Sequence, residues 1–175
     1  MQWRIERESE VCLREENRIM RKTNAARLLD RLDISYELLE YEVDEEDLSA
    51  DHVATALGIP LNQVFKTIVL RGDKEGVFVC CIPGDTELNL KSVARLTGNK
   101  KVDLVPTKDV LSLTGYVRGG CSPLAMKKQY STFLDISALD HDFIVVSAGS
   151  RGAQLKLAPQ DLVTASKAAV EELTL

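Results

Sequence analysis

Val64-Phe65-Lys66-Thr67-Ile68-Val69-Leu70-Arg71, then Gly72-Asp73-Lys74-Glu75-Gly76, then Val77-Phe78-Val79-Cys80-Cys81-Ile82: this stretch reads as two strands and the hairpin connection between them. β-Branched and aromatic residues fill both runs, and the polar, glycine-bounded segment supplies the turn. Cys80 and Cys81 are adjacent in a strand, so their side chains point to opposite faces and read as small core residues. Lys66 is a single cation inside an otherwise apolar run.

Outward from this hairpin, helices and short strands alternate. On the N-terminal side, apolar residues at Ala25, Ala26, Leu28, Leu29 and Leu32 recur at helical spacing behind Thr23, a suitable N-cap. Ile34 to Tyr41 reads as a strand, and Asp44-Glu45-Glu46-Asp47 as a solvated turn. A helix capped by Ser49 then ends at Gly58. On the C-terminal side, Asn89 caps a helix that stops at Gly98, followed by a strand over Val102–Val105 and a helix over Thr107–Leu111. Strands are expected at Thr132–Asp135, Phe143–Ser147 and Gln154–Leu157, with Pro159 opening a last helix. The pattern is that of an α+β fold around a mixed, strongly curved sheet. Neither an internal repeat nor a low-complexity linker interrupts it.

At 175 residues with 45% hydrophobic content, the chain is sized for one domain with one core. The run Val77–Ile82 is far short of the roughly 18 apolar residues that span a bilayer. Arg4, Glu6, Arg7, Glu8 and Glu10 leave no apolar core for a signal peptide, so a cytoplasmic protein is expected. Residues 1–19 read as a charged extension ahead of Met20, and residues 20–175 as the domain. Cysteines at 12, 80, 81 and 121 have neither metal-site nor disulfide-framework spacing. The net charge of −5 is unevenly distributed. Residues 1–60 hold 8 Lys/Arg and 15 Asp/Glu, a net of −7, and residues 61–175 hold 14 and 12, a net of +2. A balance of +2 is a weak footprint for nucleic acid, so any such binding is expected to be weak and salt-sensitive. Lys100-Lys101 and Lys127-Lys128 read equally as solvated surface or as backbone contacts.

Two glycine-rich bends carry the chemistry: Gly115-Tyr116-Val117-Arg118-Gly119-Gly120-Cys121-Ser122-Pro123 and Ser147-Ala148-Gly149-Ser150-Arg151-Gly152. Bared backbone amides in such bends make anion-binding concavities. A cation such as Lys66 facing them suits a phosphate or a developing oxyanion. Other hydrolytic machinery is missing: no Gly-x-Ser-x-Gly elbow, no Walker loop, no dinucleotide fingerprint. The two histidines, His52 and His141, sit apart from the bends, and Asp140-His141-Asp142 reads as a solvated turn rather than a metal site. No metal and no cofactor are expected.

The order of these segments resembles the YbaK/EbsC family of aminoacyl-tRNA deacylases, relatives of the editing insertion domain of bacterial prolyl-tRNA synthetases. The resemblance runs from about Thr23 to about Leu162. It is carried by Asn24-Ala25-Ala26-Arg27-Leu28-Leu29, Tyr41-Glu42, Phe65-Lys66-Thr67, Gly119-Gly120-Cys121-Ser122-Pro123, Met126-Lys127-Lys128 and Ser147 to Gly152. It implies a mixed barrel-like sheet with helices outside. The implied activity is hydrolysis of mischarged tRNA(Pro), foremost cysteinyl-tRNA(Pro), with prolyl-tRNA synthetase as a partner. In cysteine-editing members the substrate's own thiol attacks the carbonyl, which fits a site without a histidine base. Deacylation of alanyl-, seryl- or threonyl-tRNA, and a non-catalytic module that binds aminoacyl-tRNA or the synthetase, remain alternatives.

On this resemblance Lys66 is the functional lysine, binding a terminal phosphate or the acyl oxygen; the bland reading is an edge-strand surface lysine. Gly119 and Gly120 would present amides to the oxyanion. Substrate contacts are expected from Tyr41, Thr67, Cys121, Ser122, Pro123, Ser147, Gly149 and Gln154. Tyr41 also reads as an amphipathic core tyrosine, Ser147 as a turn former, Cys121 as a small buried hydrophobe, and Arg151 as a residue that holds its loop. Gln154 stands where the best-known cysteine-specific members carry an aspartate.

Overall fold

The computed structural model describes residues 22–175, so the expected extension over residues 1–19 lies outside the described residues. Helix α1 (Asn24–Arg31) begins where Thr23 Oγ1 accepts from the Ala26 N–H and buries Ala25, Ala26 and Leu29. Strand β1 (Glu37–Glu40) is shorter than the expected Ile34–Tyr41. Helix α2 (Ala50–Leu57) is capped by Ser49 and closes on Gly58 at φ +64°, a left-handed position that costs glycine little. The central hairpin forms as β2 (Phe65–Gly72) and β3 (Gly76–Pro83), with Lys66 opposite Ile82 and Thr67 opposite Cys81.

Downstream lie α3 (Leu90–Leu96), β4 (Val102–Leu104) and α4 (Thr107–Thr114), which runs past the expected Leu111 to a left-handed Gly115. Strands β5 (Thr132–Asp135), β6 (Ile144–Ser147) and β7 (Ala153–Leu157) follow, then α5 (Pro159–Ser166) and a strand that sequence reading did not foresee, β8 (Ala169–Glu171).

The α+β class and its mixed pairing hold, but the strands do not make one barrel-like surface. They form two open sheets: an antiparallel trio ordered β1-β7-β6 and five strands ordered β4-β2-β3-β5-β8, in which β3-β5 and β5-β8 are parallel. Among the described residues a single bridge, between Val64 and Val145, pairs the two sheets, which also share a core. Period-2 alternation along β3 explains how one strand serves two cores. Val79 and Cys81 face a cluster with Leu134, Ile144, Val146, Leu155 and Leu162. Phe78, Cys80 and Ile82 face a second with Leu70, Val93, Val102 and Leu173. The adjacent cysteines therefore lie on opposite faces, as their spacing requires.

The end of the chain is strapped down by a buried carboxylate. Asp135, 3% exposed, accepts from the Leu173 N–H at 2.9 Å and from the Ser137 hydroxyl at 2.5 Å. Leu173 is thereby held in the second core with no exposure. Among the described residues no helix is long and apolar enough to cross a membrane.

Candidate active site

A pocket of about 150 Å³ opens beside the bridge between the sheets. Strand β2 contributes Phe65, Lys66 and Thr67, preceded by Val64; the first glycine bend contributes Gly119 and Cys121; β6 and β7 contribute Ser147 and Gln154. The remaining wall is Leu48, Ala50 and Val53. Six residues expected at a site are thus brought together from segments far apart in the chain. Among the described residues Lys66 is the only charged one in this lining, and no carboxylate or histidine shares it. Its Nζ donates to the Gly84 carbonyl at 3.4 Å. Gly84 cannot carry a side chain there, because a Cβ would lie 2.7 Å from both Ala50 and Leu61.

The first bend is held by the second. Arg151 Nε donates to the Arg118 carbonyl at 2.9 Å. A Cβ on Gly120 would stand 3.1 Å from the backbone of Ser150 and Arg151, so the two bends pack main chain against main chain. Gly119 has φ +80° and faces Leu48. The N–H of Gly120 donates to the Val117 carbonyl at 3.0 Å, within its own turn. Among the described residues, those of Gly119 and Cys121 make no such backbone bond, and both residues line the pocket.

Cys121 is held as a neutral thiol: burial pushes it up to about 11, against a lesser opposing effect from a hydrogen bond with Thr114. A thiol kept this far from ionisation is a weak nucleophile at neutral pH. Ser147 Oγ accepts from the Gly149 N–H at 3.2 Å, so it forms its turn while also facing the pocket.

The other expected contacts lie outside the pocket wall. Tyr41 packs behind it on Val53 and Val64, edge-on to His52 with ring centroids 6.0 Å apart. Ser122 is fully buried and its Oγ accepts from the Leu124 N–H at 3.2 Å. Pro123 lines a separate depression with Leu28 and Met126. Gly149 lies against the Tyr116 ring, whose hydroxyl donates to the Leu124 carbonyl at 2.6 Å. Leu48 and Gly84 carried no sequence signal of this kind, one a lone apolar residue after an acidic run and the other a turn glycine. Leu48 directly follows the acidic run Asp44–Asp47, whose own residues are absent from the lining. Asp47 stays ionised below its ordinary range, chiefly through the hydrogen bond it accepts from the Ser49 hydroxyl.

Among the described residues no cluster of three or more metal-ligating side chains occurs. A family model described as the aminoacyl-tRNA editing domain matches residues 44–165, and this chain belongs to that family. An Enterococcus faecalis protein named "Putative Cys-tRNA(Pro)/Cys-tRNA(Cys) deacylase EbsC" is 44% identical over 87% of this chain and 93% of its own length. A proline–tRNA ligase of Citrifermentans bemidjiense is 31% identical over 62% of this chain and 19% of the ligase. The crystal structure of hypothetical protein APE2540 superposes with a TM-score of 0.77 at 27% identity, covering 84% of this chain and 96% of that one.

Proposed function

We propose that this chain is a trans-acting hydrolase that cleaves the ester of a mischarged tRNA, with cysteinyl-tRNA(Pro) as the first substrate. The observation that carries the reading is the make-up of the pocket among the described residues: one cation, two unengaged backbone amides, a neutral thiol, and neither a histidine nor a carboxylate. An aminoacyl ester is already activated, so its cleavage depends on stabilising the charge that grows on the carbonyl oxygen. Hydrogen-bond donors aimed at such an oxygen lower the barrier by about 3 kcal/mol each. Gly119 and Cys121 supply the N–H groups, and Lys66 supplies the positive charge.

With no protein nucleophile poised, the substrate's thiol is the attacking group. An S–C bond forms as the ester C–O bond breaks, and the ribose hydroxyl leaves with the proton that the thiol gave up. Water then opens the resulting thiolactone to free cysteine. The pocket's volume supports a small acyl group, since it is well below the roughly 300–1,000 Å³ typical of sites for larger ligands. Selectivity for the body of tRNA(Pro) would come from prolyl-tRNA synthetase, and a cytoplasmic location follows from that substrate. The test is to incubate the protein with tRNA(Pro) charged with cysteine, alanine, serine or proline and to follow release of each amino acid. Release of cysteine far ahead of proline is expected; no release from any of them removes the hydrolase reading.

A further inference from the structure

Gln154 is the one polar side chain at the pocket that is nearly covered yet without a partner. It is only 4% exposed, and among the described residues its side-chain amide makes no hydrogen bond. Every fully covered side-chain nitrogen or oxygen among them does have a partner, so the slight remaining exposure of this residue lies on its amide. Gln154 also lines the pocket, beside Ser147. A buried amide left dry and unpaired is costly, and native proteins retain few of them.

Its neighbour completes a polar corner. Gln154 on β7 is the register partner of Ser147 on β6, which places both side chains on the same face of the three-stranded sheet. The Ser147 oxygen already accepts from the Gly149 N–H, which leaves its proton free to donate. An amide offers both an N–H donor and a carbonyl acceptor without charge. Lys66, by contrast, comes from the other sheet, so the pocket has one charged wall and one neutral, hydrogen-bonding wall.

We propose that the Gln154 amide, with Ser147 beside it, reads the side chain of the bound acyl group and selects a small uncharged hydrogen-bonding side chain, a thiol or hydroxyl, over an apolar one of equal size. A site built to hydrogen-bond such a group rejects the analogue lacking it, because its own buried polar atoms are then left unpaired. The inference rests on the hydrolase reading only for the identity of the ligand as an acylated tRNA end. It concerns recognition, not the attack on the ester.

The experiment therefore measures binding with chemistry switched off. The probes are tRNA(Pro) acceptor-stem minihelices whose 3′ end carries a cysteinyl, seryl or 2-aminobutyryl group through a non-hydrolysable amide link. The 2-aminobutyryl group replaces the thiol with a methyl. The wild-type protein should bind the cysteinyl and seryl probes about tenfold more tightly than the 2-aminobutyryl probe, as expected for one buried hydrogen bond. Gln154→Met should remove that gap while thermal unfolding stays in place. Gln154→Asn withdraws the amide by one methylene and should remove it as well, so the test survives if the methionine variant does not fold. Equal wild-type affinity for the three probes, no binding of any, or a gap that persists in both variants overturns the proposal. A gap in a protein that releases no amino acid from charged tRNA would instead overturn the hydrolase reading and leave the role of Gln154 standing.

Discussion

Arg151 Nε and the carbonyl oxygen of Arg118, 2.9 Å apart, join two glycine-rich loops that are distant in sequence and adjacent in space. The guanidinium thus acts on the main chain of the loop that supplies Gly119 and Cys121 to the pocket. Arg151 is exposed, so its removal should cost less than about 1.5 kcal/mol of stability. Misplacing backbone donors by a fraction of an ångström is more serious for rate. Arg151→Ala should lower kcat about tenfold with little change in thermal midpoint. Unchanged kcat would show that Gly120's packing against Ser150 suffices to hold the loops.

Lys66→Ala removes the only charge that the described residues bring to the pocket lining, while leaving the apolar strand around it. Deacylation should fall by more than about tenfold, a barrier change near 1.4 kcal/mol, with unchanged circular dichroism. A folded variant turning over at the wild-type rate would remove this lysine from the mechanism.

The thiols give a prediction in pH. Burial raises Cys121 from 9.0 to about 11 and Cys81 to about 12, so both stay protonated in the folded chain after the unfolded chain has begun to ionise. The unfolded state then binds fewer protons, and stability falls with rising pH. Their contribution is fully present below about pH 9 and is lost as pH rises from there towards 11 and 12. Alkylation of Cys121 by iodoacetamide, followed by peptide mass spectrometry, should show its inflection near 11. An inflection at or below 9 would mean the thiol is solvated and available as a nucleophile.

Asp135→Ala leaves the Leu173 N–H and the Ser137 hydroxyl without their acceptor. The loss should be about 1–3 kcal/mol, read as a lower urea midpoint. Since Asp135 lies outside the pocket lining, kcat on a charged tRNA should change much less than stability. A variant as stable as the wild type would show that the tail is held by packing of Leu173 alone.

The weak positive balance of residues 61–175 bears on partnership. A net of +2 releases few counterions from tRNA, so binding by the isolated chain should be weak and should weaken further with salt. Adding prolyl-tRNA synthetase should favour cysteinyl-tRNA(Pro) over the same acyl group on an unrelated tRNA, by raising effective concentration. Nanomolar binding of tRNA(Pro) by the isolated chain at physiological salt would contradict this.

What the sequence made legible follows from local physics. Thr23, Ser49 and Asn89 each cap the helix assigned to them, because a cap is a contact between residues three apart. The hairpin from Phe65 to Pro83 is legible for the same reason, and Cys80 and Cys81 separate by period alone. Strand β8 was missed because Ala169–Glu171 has no alternating pattern of its own and pairs only through β5. The division into two sheets was missed because it rests on long-range register. At the site, Lys66 and the glycine bends announced themselves by composition. Ser122 and Pro123 belong to the first bend and Tyr41 was expected from the resemblance alone, yet the structure sets all three behind or beside the pocket wall. Leu48 joins the wall because its side chain lies against Gly119, a contact across some seventy residues that no local rule encodes.

The pairing of β1 with β7 joins Glu37 to Lys156, far apart in sequence. Such non-local pairing slows folding, because the intervening chain must be ordered before the contact rewards it. The hairpin that carries Lys66 can form early, whereas the wall that carries Ser147 and Gln154 must wait for the C-terminal third. A chain interrupted before residue 153 would hold the cation without the neutral wall facing it. The cation and the neutral wall are therefore completed at different points along the chain, and binding of an acyl group should appear only once β7 has paired with β6.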